Sequence, residues 1–387
     1  MPEIAYFLAT TDHPISQTHP WWNRPLPTSR LDQTGPSGPL DATAITYGSY
    51  FQAVSRFCAA SRWQRVLQAA SHKMEQPLSE EDLERVTIFL EKHGSFYHPA
   101  RIEVTARKKR ISLVANVATT AAGRKNVLRE ARALQQLNEQ RPFGWVPTVY
   151  AMDMDEDGLP MFLGDWFDGF HEFHLTVKNV AIEPRIVVWD GKADPCLLSE
   201  NQEAVLYRNM AMILTACYDP VTTQQIFPWH HAAGDFVVRL EKERTAVKLI
   251  TVRGYRPMNC TGATPTNENE MLDMLQAFFL HLTLRMRLDR IDGVSEIAWA
   301  PDRCLTPVIE GFFQGLDLTA RLSGFPEAFP RFFCQYLKQQ GKTDLRDRAA
   351  EITKRVFDRH SEEHQIIEAN LAHHIDAVSR LLTGWPA

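Results

Sequence analysis

The stretch Phe227-Pro-Trp-His-His-Ala-Ala-Gly-Asp235-Phe-Val-Val238 constrains this chain more than any other. Two histidines, a glycine and an acid stand between apolar flanks, so the stretch reads as a polar loop gripped by buried elements. A helical pattern runs up to it from Glu200 to Cys217. After it, Phe236–Leu240 and Ala246–Val252 read as two short strands split by the polar turn Glu241–Thr245. Helix, polar loop and hairpin in succession predict an α+β protein.

The 387 residues are enough for two or three structural units and a large core. Apolar residues at 44% and charged residues at 23% are ordinary for a globular chain. A net charge of −5 argues against general nucleic-acid binding. No apolar run reaches membrane-spanning length, and Met1-Pro-Glu-Ile-Ala-Tyr6 lacks the basic start of a secretory signal. The expectation is a cytoplasmic protein with no membrane and no nucleic-acid partner. Cys58, Cys196, Cys217, Cys260, Cys304 and Cys334 are scattered with no CxxC pair, which predicts free thiols and no structural zinc.

Residues 1–45 are rich in Pro, Thr, Ser and Gly, and the pair Trp21-Trp22 suggests an extended strap that packs onto the body. Tyr50, Phe51, Val54, Phe57, Cys58, Val66 and Leu67 recur at helical spacing. Ser79-Glu-Glu-Asp82 has the form of a capping box, predicting a second helix that ends near His93-Gly94. Residues 1–94 are therefore read as an N-terminal arm and helical extension. Arg101–Thr105 and Ile111–Val117 alternate as strands around the basic turn Arg107-Lys-Lys-Arg110. Val127, Leu128, Ala131, Leu134 and Leu137 mark a helix with Glu130 beside them, and Val146–Tyr150 and Met161–Phe167 are two more strands. Residues 95–168 thus form a small β-rich unit, and Asp168-Gly169 reads as a hinge. Ser199-Glu-Asn-Gln202 is a second capping box, opening the helix that leads to the central loop. Residues 169–387 form a mainly helical unit. Its helices lie at 271–286, 305–313, 329–339 and 344–382, the last broken near His360.

This order resembles the aminoglycoside phosphotransferase and choline-kinase group of the protein-kinase-like fold, over about residues 95–290. The words that carry it are Ser112-Leu-Val-Ala-Asn-Val-Ala118, Leu128-Arg-Glu-Ala-Arg-Ala-Leu-Gln-Gln-Leu137, Val146-Pro-Thr-Val149, Phe167-Asp-Gly169 and His231-Ala-Ala-Gly-Asp235. The resemblance implies a two-lobed fold with ATP as cofactor and a small-molecule ligand or nucleotide in the cleft between the lobes. It places the phosphate-binding lysine at Asn116, its glutamate partner at Glu130, the general base at Asp235 and the loop histidine at His231. Phe167, at the start of the hinge, counts with the nucleotide-binding positions. Asn116 brings no positive charge, and the metal-binding Asn after the loop is replaced by Val237–Leu240. The second metal acid falls near Thr251, and Arg107, Lys108, Lys109 and Arg110 stand where the glycine-rich phosphate loop belongs. Loss of both metal ligands counts against Mg²⁺, whereas the basic turn or Arg253 would favour an anion bound without metal.

Two functional readings follow. One is a ligand-binding or regulatory pseudokinase module; the other is an ATP-dependent small-molecule phosphotransferase with a rearranged site. A third, metal hydrolysis, starts from His360-Ser-Glu-Glu363-His364, an H-x-x-E-H spacing that puts both histidines on one face if the segment is helical. Its charged surroundings favour a solvated helix face instead. His171 and His174 are read as lining a polar cleft rather than holding a metal.

Overall fold

The computed structural model describes residues 2–9, 11, 13–27, 45–93, 97–154, 158–178, 183–189, 195–230, 234–241, 244–257, 264–293 and 295–385. They are divided between two compact units, Met1–Glu139 with Pro147–Asp168, and Gln140–Val146 with Gly169–Ala387. The architecture is mixed α+β. Among the described residues no helix is long and apolar enough to cross a membrane.

The first unit is built on a six-stranded sheet. In chain order its elements are β1 (Glu3–Leu8), α1 (Tyr47–Met74), β2 (Leu83–Leu90), β3 (His98–Ala106), β4 (Lys109–Val117), α2 (Ala121–Gln140), β5 (Val149–Met154) and β6 (Pro160–Asp165). The sheet order is β1-β2-β3-β4-β6-β5, with β1 parallel to β2 and the other pairs antiparallel. The described residues among the first 94 therefore contribute to this sheet and its cover. β1 forms an edge, and α1 lays Tyr50, Phe51, Val54, Phe57 and Val66 into one core with Val86, Ile88, Ile102, Val104 and Leu113. Trp22 is buried in the same core, and Gly48 admits it: a Cβ there would lie 2.3 Å from the indole nitrogen. Residues 28–44 of the expected strap lie outside the described residues.

The helix expected from Ser79 is corrected. Asp82 Oδ2 does accept from the Ser79 N–H at 2.8 Å, but the box caps a single 3₁₀ turn, Glu80–Asp82. The run Leu83-Glu-Arg-Val-Thr-Ile-Phe-Leu90 that follows is β-branched and aromatic, suited to a half-buried sheet, and it is strand β2. The basic turn is also tighter than expected. Lys109 and Arg110 already belong to β4, leaving Arg107 and Lys108 as a two-residue turn with φ of 47° and 62°. That is the left-handed geometry of a type I′ hairpin, more often filled by Asn-Gly.

The second unit begins with β7 (Glu172–Thr176), β8 (Arg185–Trp189) and β9 (Cys196–Leu197), paired in that order. Helix α3 (Glu200–Ala216) opens on the expected capping box, with Gln202 Oε1 accepting from the Ser199 N–H at 2.9 Å. Short strands β10 (Gln224–Ile226), β11 (Phe236–Leu240), β12 (Thr245–Leu249) and β13 (Tyr255–Pro257) follow; β11 pairs with β12 and β10 with β13. The rest comprises α4 (Glu268–Arg285), β14 (Leu288–Arg290), β15 (Ile297–Trp299), α5 (Leu305–Ser323), α6 (Phe329–Gln339), α7 (Lys342–Val356) and α8 (Glu362–Thr383). Glycines let α5 press against α3: a Cβ at Gly311 would meet the Arg208 carbonyl at 2.1 Å. Thr319 of α5 donates to the Thr215 carbonyl of α3 at 3.0 Å.

Candidate functional site

The central loop is fixed at both ends. Phe227 donates its N–H to the Gly254 carbonyl at 3.0 Å, and the Phe227-Pro228 peptide is cis. Trp229 is fully buried. At the other end Gly234 takes a φ of +79°, the left-handed region, and delivers Asp235 to the start of β11. The Asp235 carbonyl accepts from the Ile250 N–H at 2.7 Å, tying the loop to the hairpin's second strand.

Asp235 is completely buried. Its Oδ2 accepts from the His230 N–H at 2.7 Å and from Nη1 of Arg253. Its Oδ1 is buried with no hydrogen-bond partner among the described residues. Burial pushes this carboxyl above the usual carboxylate range, against the opposing pull of Arg253, the His230 N–H and Arg285.

A second guanidinium stands behind it. Arg285, at the end of α4, is buried and donates from Nη1 to the Trp229 carbonyl at 3.1 Å and from Nε to His281 Nε2 at 3.3 Å. It lies over the Phe357 ring, 4.6 Å from the centroid. Burial and then the neighbouring Arg285 hold His281 well below its ordinary value, so it is neutral and free to accept at Nε2. Glu363 of α8 completes the group, its Oε1 3.7 Å from His230 Nδ1. The centre is therefore two arginines, two acids and two histidines drawn from the loop, β12's exit, α4 and α8.

Asp235, the expected general base, is enclosed. A base must present a lone pair to a substrate proton at hydrogen-bond reach. Asp235 gives Oδ2 to two donors and is completely buried, while Oδ1 has no partner among the described residues. Its Oδ2 ties His230 of the loop to Arg253.

The other predicted positions are distributed as follows. His231 lies outside the described residues, as does Cys260. In the first unit, Asn116 is a half-buried residue of β4, in register with Pro99 of β3 and Phe162 of β6. Glu130 is buried on α2 and accepts from the Tyr97 hydroxyl. Phe167 is half-buried just after β6. Arg107 is engaged by Asp82, with Nε to Oδ1 at 2.6 Å and Nη2 to Oδ2 at 2.9 Å, and Arg110 lies 3.2 Å from Glu103. Lys108 donates its backbone N–H to Glu84 at 2.9 Å, and Lys109 is exposed on β4.

Two histidine readings are corrected. His174 does not line a polar cleft: it is buried against Trp189, and Gly293 has no Cβ because one would stand 2.7 Å from its ring. His360 and His364 do not share a helical face. Helix α8 starts at Glu362 with Ser361 as its N-cap, so His360 sits in the preceding turn, exposed. His364 instead faces Glu368 at 3.2 Å. Among the described residues no group of three or more His, Cys, Asp or Glu side chains could hold a metal ion.

Sequence reasoning missed Arg285 and Glu363 as members of the centre. A signal existed for the first: Arg285 follows the apolar stripe Leu275, Phe278, Phe279, Leu282, where a charge needs a buried partner. No protein-family model matches the chain, and no curated protein matches it either.

Proposed function

We propose that the chain is a kinase-like module whose catalytic centre has been rebuilt around an ion pair and binds a small-molecule or nucleotide ligand without transferring phosphate. The order of elements supports the fold. In the first unit a helix follows the third strand of an antiparallel run and precedes two more, as α2 lies between β4 and β5. In the second, α3 leads to the His/Asp loop and then to the β11–β12 hairpin.

One observation carries the functional half. Asp235, at the position of the general base, is sealed and bound to Arg253, two residues beyond the place of the second metal acid. On this reading the Arg253 guanidinium supplies positive charge where that chemistry otherwise uses a divalent cation. In the basic hairpin Asp82 and Glu103 engage Arg107 and Arg110.

The alternative, an ATP-dependent phosphotransferase with a rearranged site, has one feature in its favour: Asp235 Oδ1 has no partner among the described residues. An assay of γ-phosphate transfer from ATP with Mg²⁺, across aminoglycoside, choline-like and sugar acceptors, separates the two. The proposal expects no turnover above background. Mg²⁺-dependent transfer that is lost in Asp235→Asn would establish the alternative.

A further inference from the structure

Arg253 is more than a counter-ion for Asp235 in one respect: of the two, it is the side that meets solvent. Its side chain is 23% exposed and that of Asp235 1%. A guanidinium carries five N–H donors in a planar fork. Among the described residues Arg253 uses one of them, Nη1, in a hydrogen bond to Asp235.

The backbone holds this fork in place. Gly254 accepts from the Phe227 N–H at 3.0 Å, and a Cβ at Gly254 would lie 2.9 Å from the Phe227 carbonyl oxygen. Arg253 is thus pinned at its Cα by the root of the loop and at its tip by Asp235. Fixing an arginine in advance removes much of the entropy that anion capture otherwise costs. Arg285 adds a second buried positive charge, close enough to Asp235 and Arg253 to interact with both. His230, with its side chain 39% exposed, stands beside the group, its Nδ1 3.7 Å from Glu363 Oε1.

We infer that this centre binds a phosphate-bearing anion without a divalent cation, with Arg253 dividing its guanidinium between Asp235 on the inside and the phosphate oxygens on the outside. The inference deepens the reading above by naming the ligand's chemical class, and it stands on the Arg253–Asp235 geometry rather than on the absence of transfer. The phosphate could belong to a free polyphosphate or to a nucleotide.

The test is calorimetric titration of the full chain with inorganic tripolyphosphate, and separately with ATP, in EDTA and in Mg²⁺. The expected result is tripolyphosphate binding in EDTA that Mg²⁺ changes by no more than about twofold and that Arg253→Gln weakens at least about tenfold. Because Arg253→Gln leaves Asp235 buried without its cation, the double variant Arg253→Gln/Asp235→Asn is measured beside it and should show the same loss in a stably folded chain. Tighter binding of ATP than of tripolyphosphate would identify the source as a nucleotide, and equal binding a free polyphosphate. The inference is overturned if tripolyphosphate does not bind, if binding requires Mg²⁺, or if the double variant binds like the parent. Loss that follows Lys108→Ala/Lys109→Ala instead would overturn it by assigning the anion to the hairpin. Transfer activity with Mg²⁺ would defeat the proposed function, whereas these outcomes bear on the anion alone.

Discussion

Two arginine–aspartate pairs, one in each unit, set the same chemistry in opposite surroundings. Arg107 and Asp82 meet in a two-bond fork at an exposed hairpin tip. Arg253 and Asp235 meet with the acid fully buried. At the tip, the arginine's hydrogen bonds and charge hold the Asp82 carboxyl well below its usual range, because water covers the cost of the charge. In the interior, desolvation outweighs the arginine and the Asp235 carboxyl moves up. A third acid completes the series. Asp289 is buried, and among the described residues it accepts from the backbone N–H groups of Leu175 and Arg290 at 2.7 and 2.8 Å and from no guanidinium; burial raises its carboxyl to about 7. The comparison teaches that an ion pair's role depends on where it sits: at the surface it trims a turn, and in the core it decides what the loop can do.

The sharpest way to break this comparison is to cut the buried pair from one side. Arg253→Leu should destabilise the fold by about 3–5 kcal/mol, because it leaves a carboxylate buried without its cation. Asp235→Asn in the same background should restore most of that loss. Urea unfolding of the two single variants and the double variant measures the coupling directly. A coupling no larger than that of an exposed pair would remove the distinction.

Next in size is a pH effect centred on Asp289. Its folded-state carboxyl lies near 7, above the ordinary 3.8. The protonated form is therefore the one the fold favours. Its contribution is fully present below about pH 4 and is lost as pH rises to about 7, on the order of 2–4 kcal/mol. Unfolding free energies measured from pH 4 to 8 should fall over that window in the parent, and the Asp289-specific part should be missing in Asp289→Asn. An Asp289 carboxyl resonance titrating near 4 would contradict it.

Smaller effects belong to the exposed tip. Lys108, at a φ of 62°, occupies a backbone region that costs a side-chain-bearing residue roughly 1 kcal/mol. Lys108→Gly should therefore raise the midpoint of thermal unfolding by a few degrees. Smallest of all, Arg107→Ala should leave the denaturation curve unchanged within error at moderate salt. A large loss there would mean that the tip pair organises structure as the buried one does.

The sequence carried the local signals well and the long-range ones poorly. The Ser199 capping box, the apolar stripe of α4 and the break before α8 are all encoded within a few residues, and each appears where its signal stands. The Ser79 box formed too, yet it introduced one turn and then a strand, because a capping signal marks a start and says nothing of length. Only the β-branched run after Asp82 distinguishes the outcomes. At the site, Asp235 was legible from its loop, and Arg253 from its place just after the hairpin's second strand. Arg285 and Glu363 were not, since they lie 50 and 128 residues beyond Asp235 and are brought to it by the packing of α4 and α8. The H-x-x-E-H spacing misled for the opposite reason: its periodicity assumed a helix that begins two residues too late to contain His360.

The central claim is that a guanidinium has taken the place of a divalent cation beside Asp235. Calorimetric titration of the full chain with ATP, once with Mg²⁺ and once in EDTA, tests it most directly. The account predicts the same affinity in both. Binding that is tight with Mg²⁺ and absent in EDTA would contradict it, because a metal ion rather than Arg253 would then meet the phosphates.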